Sequence, residues 1–248
     1  MPTRNNKTGL LIPAYNEQAS LGDLLDEIQV HLPGWPVIVV SDGSHDLTAA
    51  LARSRGAVVL DLPCNLGVGG AVQAGFQFAL DQGFDRIIRL DGDGQHPPEE
   101  VPKLIEAMDR EDVDLVVGSR FGIEQECIST RARYAGIKVL AWFLSRICHC
   151  RITDPTSGFW LVNRRLMTYF AYDYPSDYPE PEALALLRRQ GYEMKEAFVR
   201  FRPRHAGHST IRTWGTIYFA FKVGLALLVD RVRPINTLYA KNGGIHIR

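Results

Sequence analysis

The sequence predicts an α/β protein: a doubly wound, mostly parallel sheet with helices on both faces, followed by an amphipathic C-terminal helical extension. Three observations predict it. Short runs that are apolar throughout alternate with stretches whose apolar residues recur at helical spacing, the pattern of buried parallel strands and their crossover helices. The predicted strand ends carry polar, acidic and glycine-rich loops, which is where open α/β sheets bind ligands. The length of 248 residues, 46% apolar and 23% charged, suits one large domain or a domain with a small appendage.

In chain order, Gly9–Ile12 is a short buried strand, and Leu21, Leu24, Leu25 and Ile28 recur at i, i+3, i+4 and i+7 as one face of a helix. The alternation continues with strand Val37–Val40, a helix over Leu47–Ser54 and strand Ala57–Leu60. A helix on Val72, Phe76, Ala79 and Leu80 leads to strand Arg86–Leu90. A helix on Val101, Leu104, Ile105 and Met108 then precedes strand Asp114–Gly118, and Ile137–Ile147 is a strongly apolar helix.

The strand ends share one theme. They read Pro13-Ala14-Tyr15-Asn16-Glu17, Ser41-Asp42-Gly43-Ser44-His45-Asp46, Asn65-Leu66-Gly67-Val68-Gly69-Gly70 and Asp91-Gly92-Asp93. Asp46, just ahead of Leu47, reads as a helix cap. Asp91 and Asp93 read otherwise: two carboxylates at i and i+2 repel unless a cation or proton lies between them, and such oxygen ligands suit Mg2+ or Mn2+ bridging a diphosphate. An EF-hand counted from Asp91 requires Gly and Glu where His96 and Pro102 stand, and a dinucleotide fingerprint at Gly67 requires Gly where Val72 stands. Both fail. Pro97 and Pro98 fit a first helical turn, and Glu99 and Glu100 read as its solvated, dipole-matched start.

Composition narrows the partners. Twenty-eight basic and 28 acidic residues balance, so the chain encodes no overall attraction to nucleic acid. Cys64, Cys127, Cys148 and Cys150 form no CxxC pair, and the N-terminus lacks a signal-peptide pattern, so a reduced cytoplasmic compartment is expected. The longest apolar stretch, Ile217–Val229, is interrupted by Lys222 and falls short of the roughly 20 residues of a membrane span. Cys148-His149-Cys150 reads as helix-end packing rather than a zinc site.

Taken in order with Gly118-Ser119-Arg120-Phe121, Asp154-Pro155-Thr156-Ser157-Gly158-Phe159 and Arg204-His205-Ala206-Gly207-His208-Ser209, these loops resemble family 2 glycosyltransferases of the GT-A fold. The likeness is to the dolichyl-phosphate mannose synthase and polyprenyl-phosphate glycosyltransferase branch, over roughly residues 9–230. It implies a GT-A domain at 8–212 and a C-terminal apolar helix and tail at 213–248. It also implies an inverting, Mg2+- or Mn2+-dependent enzyme that moves a sugar from a UDP- or GDP-linked donor to polyprenyl phosphate. Alternatives are a polysaccharide glycosyltransferase with a sugar-hydroxyl acceptor and a non-catalytic nucleotide-sugar-binding subunit.

By the same resemblance Pro13, Tyr15, Glu17, Ser41, Asp42, Gly70 and Asp91 hold the nucleotide sugar. Ser41 stands where the family usually has an acid, which leaves the choice of base open. Asp91, Asp93 and Gln95 would take the metal, with Asp93 and Arg120 at the catalytic centre, and Arg131, Arg133 and Arg204 would meet the acceptor phosphate. Glu180 and Glu182 are either a general base for a hydroxyl acceptor or the first turn of a helix before Leu184 and Leu187. The 214–229 segment, with Arg212, Arg231 and Arg233 beside it, reads equally as a membrane-interfacial helix or a buried domain helix. The resemblance implies peripheral attachment at the cytosolic membrane face, with a small membrane-protein subunit as a further candidate partner.

Overall fold

The computed structural model describes residues 6–121, 131–176 and 179–202, with 131–133 described by backbone alone. Seven strands form one sheet: β1 (Thr8–Ala14), β2 (Val37–Ser41), β3 (Val58–Asp61), β4 (Arg86–Arg89), β5 (Leu115–Ser119), β6 (Trp160–Asn163) and β7 (Met194–Phe198). Their order is β3-β2-β1-β4-β6-β5-β7. Only β6 runs against the rest, antiparallel to both β4 and β5. The predicted mostly parallel, doubly wound sheet is therefore what the chain forms.

Alternation explains why these strands need cover on both sides. Leu10, Ile12, Val37, Val39 and Ile88 join the core under helices α1 (Leu21–His31), α2 (Thr48–Ser54) and α4 (Val101–Glu111). Leu11, Ile38, Val40 and Ile87 point the other way, into the core under α3 (Gly67–Asp81), α5 (Arg131–Cys148), α6 (Arg164–Tyr172) and α7 (Pro179–Arg189). Gly75 lets α3 lie close to the sheet, because a Cβ there would come within 2.4 Å of Leu11 Cδ1.

β6, α6 and β7 were not anticipated from the apolar pattern. The direction of β6 matters for the site. Entering the sheet backwards, it begins at the rim where the parallel strands end, so the Asp154–Phe159 loop is delivered to that rim. β1 and β4 are neighbours whose following helices, α1 and α4, lie on the same face, whereas β2 lies on the far side of β1. No helix among the described residues is long and apolar enough to cross a membrane. Residues 213–248, Arg204 and the side chains of Arg131 and Arg133 lie outside the described residues.

Candidate active site

The loops after β1 and β2 are latched together. Asn16 takes a left-handed conformation (φ 55°), its N–H donates to Ser44 Oγ (3.2 Å), and its Oδ1 accepts from the His45 N–H (2.9 Å). The Glu17 N–H donates to Thr48 Oγ1 at 2.9 Å. Asp46 accepts from the Thr48 N–H and the Gln18 N–H, so it joins the two loops; the N-cap of α2 is Leu47, and Asp46 bonds the first turn from one position before it. Tyr15 is left 45% exposed at the rim beside half-buried Pro13.

Asp42 is buried, and its Oδ1 accepts the Leu66 N–H (2.7 Å), which ties the start of α3 to β2. Gly43 (φ 64°) permits this approach, since a Cβ would lie 2.5 Å from the Asn65 nitrogen. Ser41 is fully buried, and its Oγ makes no hydrogen bond of ordinary geometry among the described residues. Its hydroxyl still helps Arg53, the larger influence, hold the Asp61 carboxyl below its usual range. Gly70 packs on Leu66, whose Cβ would lie 2.6 Å from an added Cβ.

The Asp91–Asp93 turn sits at the end of β4. Asp93 is 5% exposed and accepts the Gln95 N–H at 3.0 Å, whereas the Asp91 side chain is 35% exposed. His96 fixes the turn from below: its Nδ1 accepts the Asp91 N–H (2.9 Å), and its ring stacks on Phe159 at 5.0 Å. Burial drives the imidazole pKa below its ordinary value, so His96 is a neutral structural acceptor. Ser20 Oγ bonds both Glu17 Oε2 (2.8 Å) and the Gly92 carbonyl (2.9 Å), which connects the first loop to this turn.

Behind Asp91 lies a charge that sequence reasoning passed over. Arg89, 3% exposed at its side chain, donates from Nη2 to Asp91 Oδ1 (3.2 Å) and Glu180 Oε1 (2.8 Å), and from Nη1 to Tyr174 Oη (3.3 Å). Burial disfavours its charge, but Glu180 and Asp91 more than offset that and raise its pKa. Burial also raises the Glu180 carboxyl, against the pull of Arg89, although 19% of the Glu180 side chain remains exposed. Glu180 and Glu182 both lie in the first turn of α7. The signal available in the sequence was an arginine inside an apolar strand, since a buried guanidinium requires partners.

Arg120, at the end of β5, lies against the Asp154 loop. Its Nε and Nη2 meet the two oxygens of fully buried Asp154 at 2.7 and 2.8 Å, and Nη2 also reaches Thr156 Oγ1 at 2.8 Å. Asp154 and Thr153 in turn donate backbone N–H groups to Glu196 Oε1. Gly158 closes the loop onto the acidic turn, for an added Cβ would lie 2.9 Å from Arg89 Nη2 and 3.0 Å from Asp91 Oδ1.

One expectation is corrected. Glu99 and Glu100 are not a merely solvated helix start: Glu100 is buried and accepts from Lys103 Nζ and the Arg200 N–H, while Glu99 receives both oxygens' bonds from Arg202 Nη2. Cys148 fits the packing reading, as burial pushes its thiol up to about 12 and its Sγ contacts the Leu184 carbonyl. Among the described residues no three His, Cys, Asp or Glu side chains gather as a cation site. Asp91 and Asp93 still fit a hard divalent ion: both offer oxygen alone, Asp91 reaches solvent, and Gly158 leaves the space against its carboxylate free of a side chain.

This rim of acidic turn, arginine and nucleotide-type loops accompanies a match of the sequence pattern of glycosyl transferase family 2 to residues 10–170. The chain belongs to that family. An undecaprenyl-phosphate mannosyltransferase of Micrococcus luteus is 38% identical over 141 residues, covering 55% of this chain and 52% of that protein. A dolichol-phosphate mannosyltransferase of Pyrococcus furiosus is 32% identical over 171 residues, 65% of this chain and 47% of that protein. This family 2 chain thus spans about half the length of those relatives. Among solved structures, glucosyl-3-phosphoglycerate synthase from Mycobacterium tuberculosis, in complex with phosphoglyceric acid, superposes with a TM-score of 0.68 at 22% identity, covering 93% of this chain and 81% of that one. The shared fold is GT-A.

Proposed function

We propose that this family 2 chain is an inverting glycosyltransferase that moves a sugar from a nucleoside diphosphate sugar onto a polyprenyl phosphate at the cytosolic face of a membrane. The observation that carries the reading is the meeting, on one rim, of the Asp91–Asp93 turn, Arg120 and the Pro13–Glu17 loop, in a chain whose relatives are named for transfer to undecaprenyl and dolichol phosphates.

The residues divide the work as follows. Pro13, Tyr15 and Glu17 line the donor side, with Asp42 and Gly70 shaping the loops beneath it. Asp91 and Asp93, with Gln95, would hold Mg2+ or Mn2+, which when bound stabilises the departing nucleoside diphosphate as a Lewis acid. Asp154 grips Arg120 through its Nε and Nη2, so the guanidinium would meet phosphate oxygens from its Nη1 side. Arg131, Arg133 and Arg204 are proposed for the acceptor phosphate. A lipid phosphate is already an anion, so it attacks the anomeric carbon with little need for a base and the protein's task is positioning. A hydroxyl-acceptor reading needs a base such as Glu180 or Glu182, and the 2.8 Å contact between Glu180 and Arg89 argues against a proton-accepting role for Glu180. Attachment at the membrane is proposed through the 214–229 segment and its basic neighbours, either directly or through a small membrane-protein subunit.

The test combines thermal shift with UDP-, GDP- and dTDP-sugars, with and without Mn2+, and labelled sugar transfer to a polyprenyl phosphate. A donor binding the native state raises its melting temperature, and the product should be a lipid-linked sugar released by mild acid. Asp93→Ala, with its fold intact by circular dichroism, is expected to lose at least about a hundredfold in transfer, the size of effect seen on removing one electrostatic stabiliser. A wild-type protein that shifts with no donor, or an Asp93→Ala variant of full activity, defeats the proposal.

A further inference from the structure

We propose that Glu180 acts as the counter-ion that lets Asp91 take a divalent cation beside the buried Arg89, making the Arg89–Glu180 pair a positioning and affinity-setting device for the metal turn. The inference rests on the metal role assigned to Asp91 and Asp93. Arg89 lies in the last position of β4, 3% exposed, with its Nη2 3.2 Å from Asp91 Oδ1. An arginine remains charged at any pH a protein survives. Here it fixes one oxygen of Asp91, but it also presents a like charge to any cation that Asp91 would bind.

Glu180 answers that charge. Its Oε1 lies 2.8 Å from the same Nη2 atom that meets Asp91, and it arrives from α7, 91 positions along the chain. The other Arg89 contacts are uncharged: Nη1 meets Tyr174 Oη, and Nε has no hydrogen-bond partner among the described residues. The chain passes both groups at Gly158, where an added Cβ would lie 2.9 Å from Arg89 Nη2 and 3.0 Å from Asp91 Oδ1. With Glu180 in place, Arg89, Asp91 and Glu180 sum to one negative charge beside Asp93. With Glu180 neutral, Arg89 cancels Asp91. A role confined to docking α7 on the sheet predicts no such link to metal affinity.

The test is a titration of the full chain with Mn2+ alone, followed by electron paramagnetic resonance of the free ion, with neither donor nor acceptor present. Glu180→Gln, close in shape, is expected to weaken Mn2+ binding by about tenfold, the scale of one unit charge acting through a partly buried site. Glu180→Asp, which keeps the charge, should stay within about threefold of wild type, as should Arg89→Gln/Glu180→Gln, which removes both charges. An unchanged Mn2+ dissociation constant in Glu180→Gln, with transfer alone impaired, assigns Glu180 to acid–base work and overturns the inference. Equal weakening in Glu180→Asp and Glu180→Gln assigns the effect to packing and overturns it too. Should Glu180→Gln not fold, the double variant decides, since a loss beyond about tenfold there contradicts charge cancellation. Failure of the functional reading looks different: Mn2+ binds and responds to Glu180, yet no sugar reaches polyprenyl phosphate. A wild-type chain that binds no Mn2+ ends both the metal assignment and this inference.

Discussion

Asp154→Asn probes whether Arg120 is pre-positioned by a buried carboxylate. Asp154 is fully buried and receives the Arg120 Nε and Nη2 at 2.7 and 2.8 Å, and the Arg120 N–H at 3.1 Å. An asparagine keeps one acceptor oxygen but turns an N–H donor toward the guanidinium, so donor faces donor along one arm of the fork. Leaving one member of a buried ion pair without its partner costs about 3–5 kcal/mol. The Arg120 side chain is 21% exposed, so water takes up part of its charge and the lower figure applies. About 3 kcal/mol corresponds to a melting temperature lower by roughly 6–12 °C in a domain of this size. Thermal denaturation followed by circular dichroism measures it, with Arg53→Ala as the control. Arg53 and Asp61 pair at 53% and 44% side-chain exposure, so that variant should change stability by less than about 1 kcal/mol. In a transfer assay Asp154→Asn should also raise the donor KM more than it lowers kcat, as Arg120 loses its fixed orientation. A melting temperature within about 2 °C of wild type would refute the argument that this pair organises the rim.

Two further substitutions test the surrounding structure. Gly69→Ala would place a Cβ 2.3 Å from the Pro175 carbonyl oxygen and 2.7 Å from Ser176 Cα, obstacles that are backbone and do not rotate away. It should cost about 1–3 kcal/mol, read as a lower urea midpoint at constant slope. Glu196→Gln keeps an oxygen for the Thr153 and Asp154 N–H groups and turns an N–H toward Thr153 Oγ1. Burial raises the Glu196 carboxyl above its usual value, so its contribution to stability is complete below that value and is lost as pH rises through the folded-state one. The variant should therefore gain on wild type in urea midpoints as pH rises above the usual carboxylate range, whereas a gap that narrows as pH rises contradicts the burial argument.

The sheet was legible wherever strands are apolar on both faces. β1, β2 and β5 appear in the sequence as continuous apolar runs, and β4 as Ile87-Ile88 between two arginines, because each lies between two helical layers. β7 was not legible for the converse reason: at the sheet edge, Met-Lys-Glu-Ala-Phe has no buried position and no run to detect. β6 and α6 left a usable signal in Trp160-Leu161-Val162 followed by Asn163, whose side chain accepts the Leu166 N–H at the start of α6. The rim acids were legible because two like charges one residue apart at a strand end demand an explanation from chemistry.

Their partners were not, and the reason is distance along the chain. Glu100 and Glu99 look solvated in a local window because the groups that engage them, the Arg200 backbone and the Arg202 guanidinium, lie 100 and 103 residues downstream. Arg89 and Glu180 show the same effect with greater consequence. In its own segment Glu180 is one of two acids at a helix start, and no local pattern separates it from Glu182. Tertiary placement separates them, by bringing Glu180 against a cation that already touches Asp91. Local chemistry therefore singles out the carboxylate proposed to face a ligand, whereas the fold determines the net charge that carboxylate presents. Metal affinity depends on the second quantity, so a shared Asp-x-Asp motif alone does not fix it across related chains.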